Sequence, residues 1–378
     1  MTRLLALLLT LAQFSVDAAP RRRAVQPPQP VVAPAAVVAA ARQAADAALK
    51  TGVPAVQIAV SDRGQIVYSE AFGVIDKQSA TAATPRSLLQ AGSVTKQFTA
   101  AAILRLADRG ALTLDDRIEK FVPAFNTRGA TITLRQLLSH TSGLRRDWYP
   151  AGPPWPNLLA PVTRQQTIQG LNSGQLLDSP PGTQYSYSNA GFMLLGFAIE
   201  SITGMSYPEF IHKEFALPLG LLDTGVCGTG TLPLPEGYGM LTTTNGTMWI
   251  RLPSLDPTVV WSSGSLCTTA NDLARWSHML ATGHVLLPDT YATMTTPARL
   301  ANNTVLWNGY ALGVIRQSLQ GHPMVWHNGA IDGFRSHLIY LSDQDIAVAV
   351  LTNGFPAPPA ADPYHIAVAI AKAALAAQ

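Results

Sequence analysis

The sequence predicts an α+β fold: one antiparallel sheet flanked by an N-terminal and a C-terminal helix, with a large, mostly helical subdomain inserted at roughly residues 93–290. Both chain ends and the middle point to it. Residues 35 to 50 are alanine-rich and stop at Lys50-Thr51-Gly52, which reads as a helix with a glycine terminus. Val53 to Ser61 and Gln65 to Gly73 then supply two β-branched and aromatic runs around the turn residues Asp62-Arg63-Gly64. The far end mirrors this arrangement, with Phe334 to Leu341 and Ile346 to Thr352 forming a second hairpin around Ser342 to Asp345. A helix from about Pro363 to Ala377 closes the chain. Two hairpins can join into one sheet covered by both terminal helices.

The middle has helix signals instead. Phe98, Ala101, Ile103, Leu104 and Leu106 form an apolar helical pattern that ends at Gly110. Thr133-Leu134-Arg135-Gln136 opens a helix running to His140 with a capping-box pattern, and Thr269-Ala270-Asn271-Asp272 opens another with Leu273, Trp276 and Leu280 on its apolar side.

Composition narrows the function classes. Charged residues are 13% of the 378, against roughly 25% in an average soluble protein, so the surface relies on uncharged polar groups. The formal net charge of +3 is carried by Arg21, Arg22 and Arg23 once residues 1–18 are set aside, which leaves no footprint for nucleic acid. Arg3, the apolar run Leu4 to Ala12 and small residues near Val16-Asp17-Ala18 read as a signal peptide over residues 1–18. Residues 19–34, with Pro27, Pro28, Pro30 and Pro34, read as a linker, and residues 35–378 as the catalytic domain. The expectation is an exported protein, periplasmic or secreted, with no stable membrane anchor after cleavage. Cys227 and Cys267 are the two cysteines; a disulfide and two buried thiols are both compatible with their surroundings. They cannot make a zinc site alone, and no paired histidine spacing suggests a metal. No cofactor is expected.

Three stretches carry chemistry. In Ser93-Val94-Thr95-Lys96 a hydroxyl and an amine share one helix face near a helix N-terminus, and a lysine whose pKa is lowered by burial can activate a serine. In Tyr185-Ser186-Tyr187-Ser188-Asn189 an extended chain points Tyr187 and Asn189 into the same cleft. An ammonium at Lys96 would favour the Tyr187 phenolate as a proton shuttle, with Tyr185 as a rival of the same parity. In His327-Asn328-Gly329-Ala330 the glycine permits close backbone approach, the Ala330 N–H can share an oxyanion with the Ser93 N–H, and His327 can donate to a substrate carboxylate or leaving group.

Ser-x-x-Lys, Tyr-x-Asn and His-x-Gly, in this order and spacing, resemble the serine β-lactamase and penicillin-binding protein superfamily, specifically the class C β-lactamase group with its D,D-peptidase and esterase relatives. ITLRQLLSHTSGL (Ile132 to Leu144), PGTQYSYSN (Pro181 to Asn189), SSGSLCTTANDLARW (Ser262 to Trp276) and HNGAIDGF (His327 to Phe334) are similar to family segments. The resemblance implies Ser93 as acylated nucleophile, Lys96 and Tyr187 in proton transfer, Asn189 holding the substrate amide and Lys96, and His327, Asn328, Gly329 and Ala330 as the substrate-lining strand. His327-Asn328-Gly329 stands where class C β-lactamases usually carry Lys-Thr-Gly, which is similar to the D,D-peptidase, D-aminopeptidase and esterase side. No Glu has Asn four residues on, unlike class A enzymes. The implied activity is an exported serine hydrolase acting on D-amino-acid peptides, esters or β-lactams. The alternative is a penicillin-binding sensor or structural relative that acylates with little turnover. The loop Arg145 to Pro161, with Trp148, Tyr149 and Trp155, is either a substrate wall or loop packing.

Overall fold

The computed structural model describes residues 32–149, 156–230, 232–244 and 246–378. The expected signal peptide, all but the last three residues of the linker, and Trp155 lie outside them. The strands in chain order are β1 (Ala55–Asp62), β2 (Gln65–Asp76), β3 (Thr81–Ala82), β4 (Leu89–Gln90), β5 (Gly225–Val226), β6 (Tyr238–Thr243), β7 (Gly246–Arg251), β8 (Leu266–Thr268), β9 (Ile315–Leu319), β10 (His322–Ile331), β11 (Phe334–Leu341) and β12 (Ile346–Thr352). Seven of them form one antiparallel sheet in the order β3-β2-β1-β12-β11-β10-β9.

Both expected hairpins are present, and the N- and C-terminal ones join edge to edge, Val56 opposite Thr352 and Asp62 opposite Ile346. Turn chemistry explains their register. Arg63 (φ 48°) and Gly64 (φ 76°) are both left-handed, the geometry whose twist matches that of paired strands. β1 is buried on both faces and its alternation feeds two cores. Val56, Ile58 and Val60 pack with the helices α1 (Ala35–Leu49) and α10 (Pro363–Ala376). Ala59 faces the other core, with Leu338, Ala347, Ala349 and Leu351. The small side chains there let a capped helix, Ala270–Ala281, lie directly on the sheet, with Leu273, Trp276 and Leu280 buried as its periodicity predicts.

The second core is the inserted subdomain. Its first helices are α2 (Thr95–Asp108), α3 (Leu134–Leu138), α4 (Arg164–Asn172) and α5 (Asn189–Thr203). Thr133 and Gln136 form both halves of the capping box of α3, and Gly110 (φ 73°) follows α2 as its left-handed stop. The subdomain is less helical than its sequence suggests: β4, β8 and β5 make a three-stranded sheet, and β6 and β7 an exposed ribbon. Strands of two or three residues are too short to leave a periodic signal. β9 was likewise not legible, being exposed on three of its five residues.

Cys227 and Cys267 form a disulfide closing a 40-residue separation. It ties β8 to the segment after β5, where the Cys227 N–H also donates to Ser265 O (2.9 Å). A loop of this length restricts the unfolded chain by about 4 kcal/mol on chain-entropy grounds. Reduction, or the C227S/C267S pair, should therefore lower the denaturation midpoint by that free energy in urea titrations. No helix among the described residues is long and apolar enough to cross a membrane.

Candidate active site

Ser93 sits on a single 3-10 turn, Gly92–Val94, that runs straight into α2. In a 3-10 turn residues three apart eclipse, so Ser93 and Lys96 face each other, with Nζ to Oγ at 3.2 Å. Lys96 is fully buried. Its other contacts are Asn189 Oδ1 (2.8 Å) and the Ser263 carbonyl (2.7 Å). Burial and the nearby positive charge of Arg146 push its pKa well below the usual lysine value, against an opposing pull from Asp147. A neutral amine has two N–H donors and one lone pair. Nζ donates to Ser93 Oγ, Asn189 Oδ1 and Ser263 O; once it gives up a proton, the last two keep their donors and the lone pair faces the Ser93 hydroxyl.

Tyr187, Ser188 and Asn189 enter the cleft as an extended segment, Ser188 having φ −129° and capping α5 through its hydroxyl. The Tyr187 phenol hydrogen-bonds Ser93, and the Lys96 ammonium position lies 4.8 Å from its ring centre. Burial pushes the phenol pKa up, only partly offset by the Ser93 bond. This corrects the expectation of a phenolate: burial outweighs the Ser93 bond and the Arg146 charge, and Tyr187 is a neutral phenol. Tyr185 turns away to Asn308 and Tyr310, its phenol pushed up to about 12 mainly by burial, which leaves Tyr187 as the tyrosine on Ser93.

β10 lies against the Ser93 turn because two glycines allow it. A Cβ on Gly329 would stand 2.0 Å from Ala91 O, and one on Gly92 (φ 52°) 2.9 Å from the Ala330 amide nitrogen. Ser336 on the adjacent strand donates to the same Ala91 carbonyl (2.7 Å). β9 pairs β10 only as far as Trp326, so the stretch from His327 to Ile331 is unpaired on that side.

His327 is placed otherwise than expected. It is buried and neutral, its pKa lowered to about 3 chiefly by burial and then by the Lys96 charge. Nδ1 lies 2.6 Å from the Asn328 carbonyl and must donate to it. That makes Nε2 the lone-pair nitrogen, which accepts from the Tyr310 hydroxyl (3.2 Å). Both nitrogens are engaged, so His327 has no proton to offer a substrate carboxylate or leaving group. Asn328 is a second correction. Strand alternation turns its side chain to the opposite face, where its partner is His337; its backbone alone stays by the site.

The sequence reading missed three residues here. Asp147 Oδ1 accepts from Asn189 Nδ2 (2.8 Å), Arg146 lies over the Tyr187 ring at 5.4 Å, and the Tyr310 hydroxyl occupies His327 Nε2. Arg146 and Asp147 stand in the loop singled out only for its aromatics; Tyr310 carried no signal. His140 (φ 58°) backs the cleft, accepting from the Ser188 N–H at Nδ1 (3.1 Å), with its ring 4.2 Å from that of Tyr187. A cavity of 510 Å³ between α3 and residues 297–301 lies behind this wall and includes none of Ser93, Lys96 or Tyr187.

Comparison with known proteins shows the family. The family model described as Beta-lactamase matches residues 36–371. The chain belongs to the beta-lactamase family. Among beta-lactamase-family proteins it is 27% identical over 308 residues to penicillin-binding protein 4* of Bacillus subtilis (strain 168), covering 78% of this chain and 67% of that one. Protein flp of Staphylococcus aureus (strain NCTC 8325 / PS 47) is 26% identical over 324 residues; the match takes in 80% of this chain but 60% of that protein's length. Among solved structures, the octameric penicillin-binding protein homologue from Pyrococcus abyssi superposes with a TM-score of 0.76 at 27% identity, covering 90% of this chain and 77% of that one. A D-stereospecific amidohydrolase from Streptomyces sp. gives 0.71 at 27% identity, covering 87% and 96%. The fold is the β-lactamase/transpeptidase-like one, and the chain is a member of this serine-hydrolase superfamily.

Proposed function

We propose that this protein is a serine hydrolase that forms an acyl-enzyme on Ser93 and passes the acyl group to water, with amides and esters of D-amino acids as its preferred substrates. The observation that carries the reading is the buried Lys96 amine, held by Asn189 Oδ1 and Ser263 O with its third contact on Ser93 Oγ. Lys96 takes the proton as Oγ attacks the carbonyl carbon. The oxyanion forms between the Ser93 and Ala330 N–H groups, and Tyr187 relays the proton to the departing nitrogen or oxygen. Water then attacks the acyl-enzyme with the same groups reversing roles.

Substrate preference follows from His327. A β-lactam or a C-terminal D-amino acid brings a carboxylate to the third motif, and here that carboxylate meets a buried, neutral, fully bonded imidazole. Amides and esters with uncharged leaving groups lose nothing there, and the amidohydrolase likeness supports the same choice. The disulfide supports the expected export, since such bonds persist in oxidising compartments.

Purified protein should hydrolyse p-nitrophenyl acetate and D-alanine p-nitroanilide, and hydrolyse nitrocefin poorly. Ser93→Ala should lose at least about 10⁴-fold in kcat/KM and any acyl adduct by intact mass spectrometry. Full turnover by that variant would sink the proposal, and rapid nitrocefin hydrolysis would overturn the substrate preference.

A further inference from the structure

Two sides of Ser93 differ in charge. Toward Tyr187 the wall is made of His140, Tyr310 and His327, with His140 tilted against Tyr187 (4.2 Å) and Tyr310 (4.7 Å), and Tyr310 edge-on to His327 (5.8 Å). Both histidines are held neutral by burial, so these three rings bring no charge of their own; the Arg146 guanidinium and Lys96 lie over the Tyr187 ring itself. A leaving group must depart here, because its proton comes through Tyr187. On the other side Lys96 leads to Asn189, and Asn189 to Asp147. The acyl part of a substrate lies along that side.

Asn189 has a single amide N–H left for an acyl group. Its oxygen is taken by Lys96, and Asp147 Oδ1 takes one of its two N–H donors. The second carboxylate oxygen of Asp147 has only a loose partner, Arg146 Nε at 3.6 Å, and the Arg146 side chain is 67% exposed. Such a pair contributes little. A quarter of the Asp147 side-chain surface stays accessible. Asp332, exposed on the turn two residues beyond Ala330, adds a second negative charge to the same lip, since both carboxylates act on the Tyr149 phenol.

We infer that Asp147 is a specificity-determining residue that receives the free α-ammonium of the acyl residue, so that the substrates are aminoacyl amides and esters with an unblocked amino group. This rests on the reading of Ser93 as the acylated nucleophile. An ammonium donates to the open oxygen of Asp147 in a charge-assisted bond. An N-acylated residue at the same place brings no positive charge and leaves the carboxylate without that partner.

The test is the ratio of kcat/KM for D-alanine p-nitroanilide to that for N-acetyl-D-alanine p-nitroanilide, in which any common loss of rate cancels. Wild-type protein should favour the free amine by about tenfold or more. That preference should fade as pH rises through the ordinary α-amino range of about 7.7–8.0, a change that a merely structural role for Asp147 would not produce. Asp147→Asn keeps an acceptor for Asn189 but no charge, and should cut the ratio by about tenfold; Asp147→Glu should restore part of it. An unchanged ratio in Asp147→Asn, or a pH-independent one in the wild type, overturns the inference. If the wild type cleaves p-nitrophenyl acetate through Ser93 but neither anilide, the inference falls and the acyl-enzyme reading stands. If Ser93→Ala leaves acetate hydrolysis intact, both fall.

Discussion

Replacing Lys96 with methionine should lower the rate of Ser93 acylation by about 10⁴-fold, the upper end of what a positioned general base supplies. Methionine is unbranched and fits a slot made for a lysine stem, so the loss would report the amine and not a collapsed site. Two acceptors, Asn189 Oδ1 and Ser263 O, lose their donor, at about 1–3 kcal/mol each for a buried group left unpaired. Against this stands the relief of no longer burying an amine. Burst amplitudes with p-nitrophenyl acetate between pH 5 and 9 give a second readout. The lysine acts as a base only when deprotonated, so wild-type acylation should rise with pH through its depressed pKa, and the variant should lose that limb. A variant within tenfold of wild type would exclude Lys96 as the base.

Stability should fall steeply on acidification below pH 6.5, and three buried histidines set the slope. His140, His327 and His337 are all held neutral by burial, the last two with values lowered to about 3. An unfolded chain protonates them near 6.5, while the folded protein resists until far lower. Above 6.5 neither state holds these protons and the histidines contribute nothing to the pH dependence. As pH falls from 6.5 toward 3, unfolding takes up three protons, and the free energy of unfolding should drop by as much as about 4 kcal/mol per pH unit. Paired carboxylates such as Glu70 and Glu214, whose pKa values are lowered chiefly by Arg42 and Arg109, add to this loss only near and below pH 4.5. In urea titrations between pH 7.5 and 5 the depressed Lys96 adds proton uptake on unfolding and the raised carboxyls of Glu200 and Asp272 oppose it, so the histidine share is read from variants. Neither ring nitrogen of His337 has a hydrogen-bond partner, so His337→Phe should remove about a third of the histidine contribution to the slope. Stability that stays flat between pH 7 and 5 would contradict the assignment.

The sheet was legible because its terminal strands are long, β-branched and separated by turn residues; Asp62-Arg63-Gly64 fixes a register that hydrophobicity alone would leave open. Ser93, Lys96 and Tyr187 were legible as types at fixed spacing. What spacing could not tell was protonation. Whether Lys96 is an ammonium and Tyr187 a phenolate depends on burial by residues from across the chain, Ser263 and Phe192 among them. The role of His327 was misread for a similar reason: its availability is decided by Tyr310 and by its own neighbour's carbonyl, which nothing in His-Asn-Gly announces. Asp147 was passed over because an acidic residue in an irregular loop is ordinarily a solvated one.

Ser336 bonds the carbonyl of Ala91 across 245 positions of sequence, and β1 finds its central neighbour only in β12. The Ser93 turn and β10 thus meet only when segments far apart in the sequence have closed on each other. Until then β1 presents an unsatisfied edge, which exposes nascent chains to mispairing. A half-assembled molecule has Ser93 but no strand beside it, so on the proposed mechanism acylation of Ser93 would require that last long-range closure.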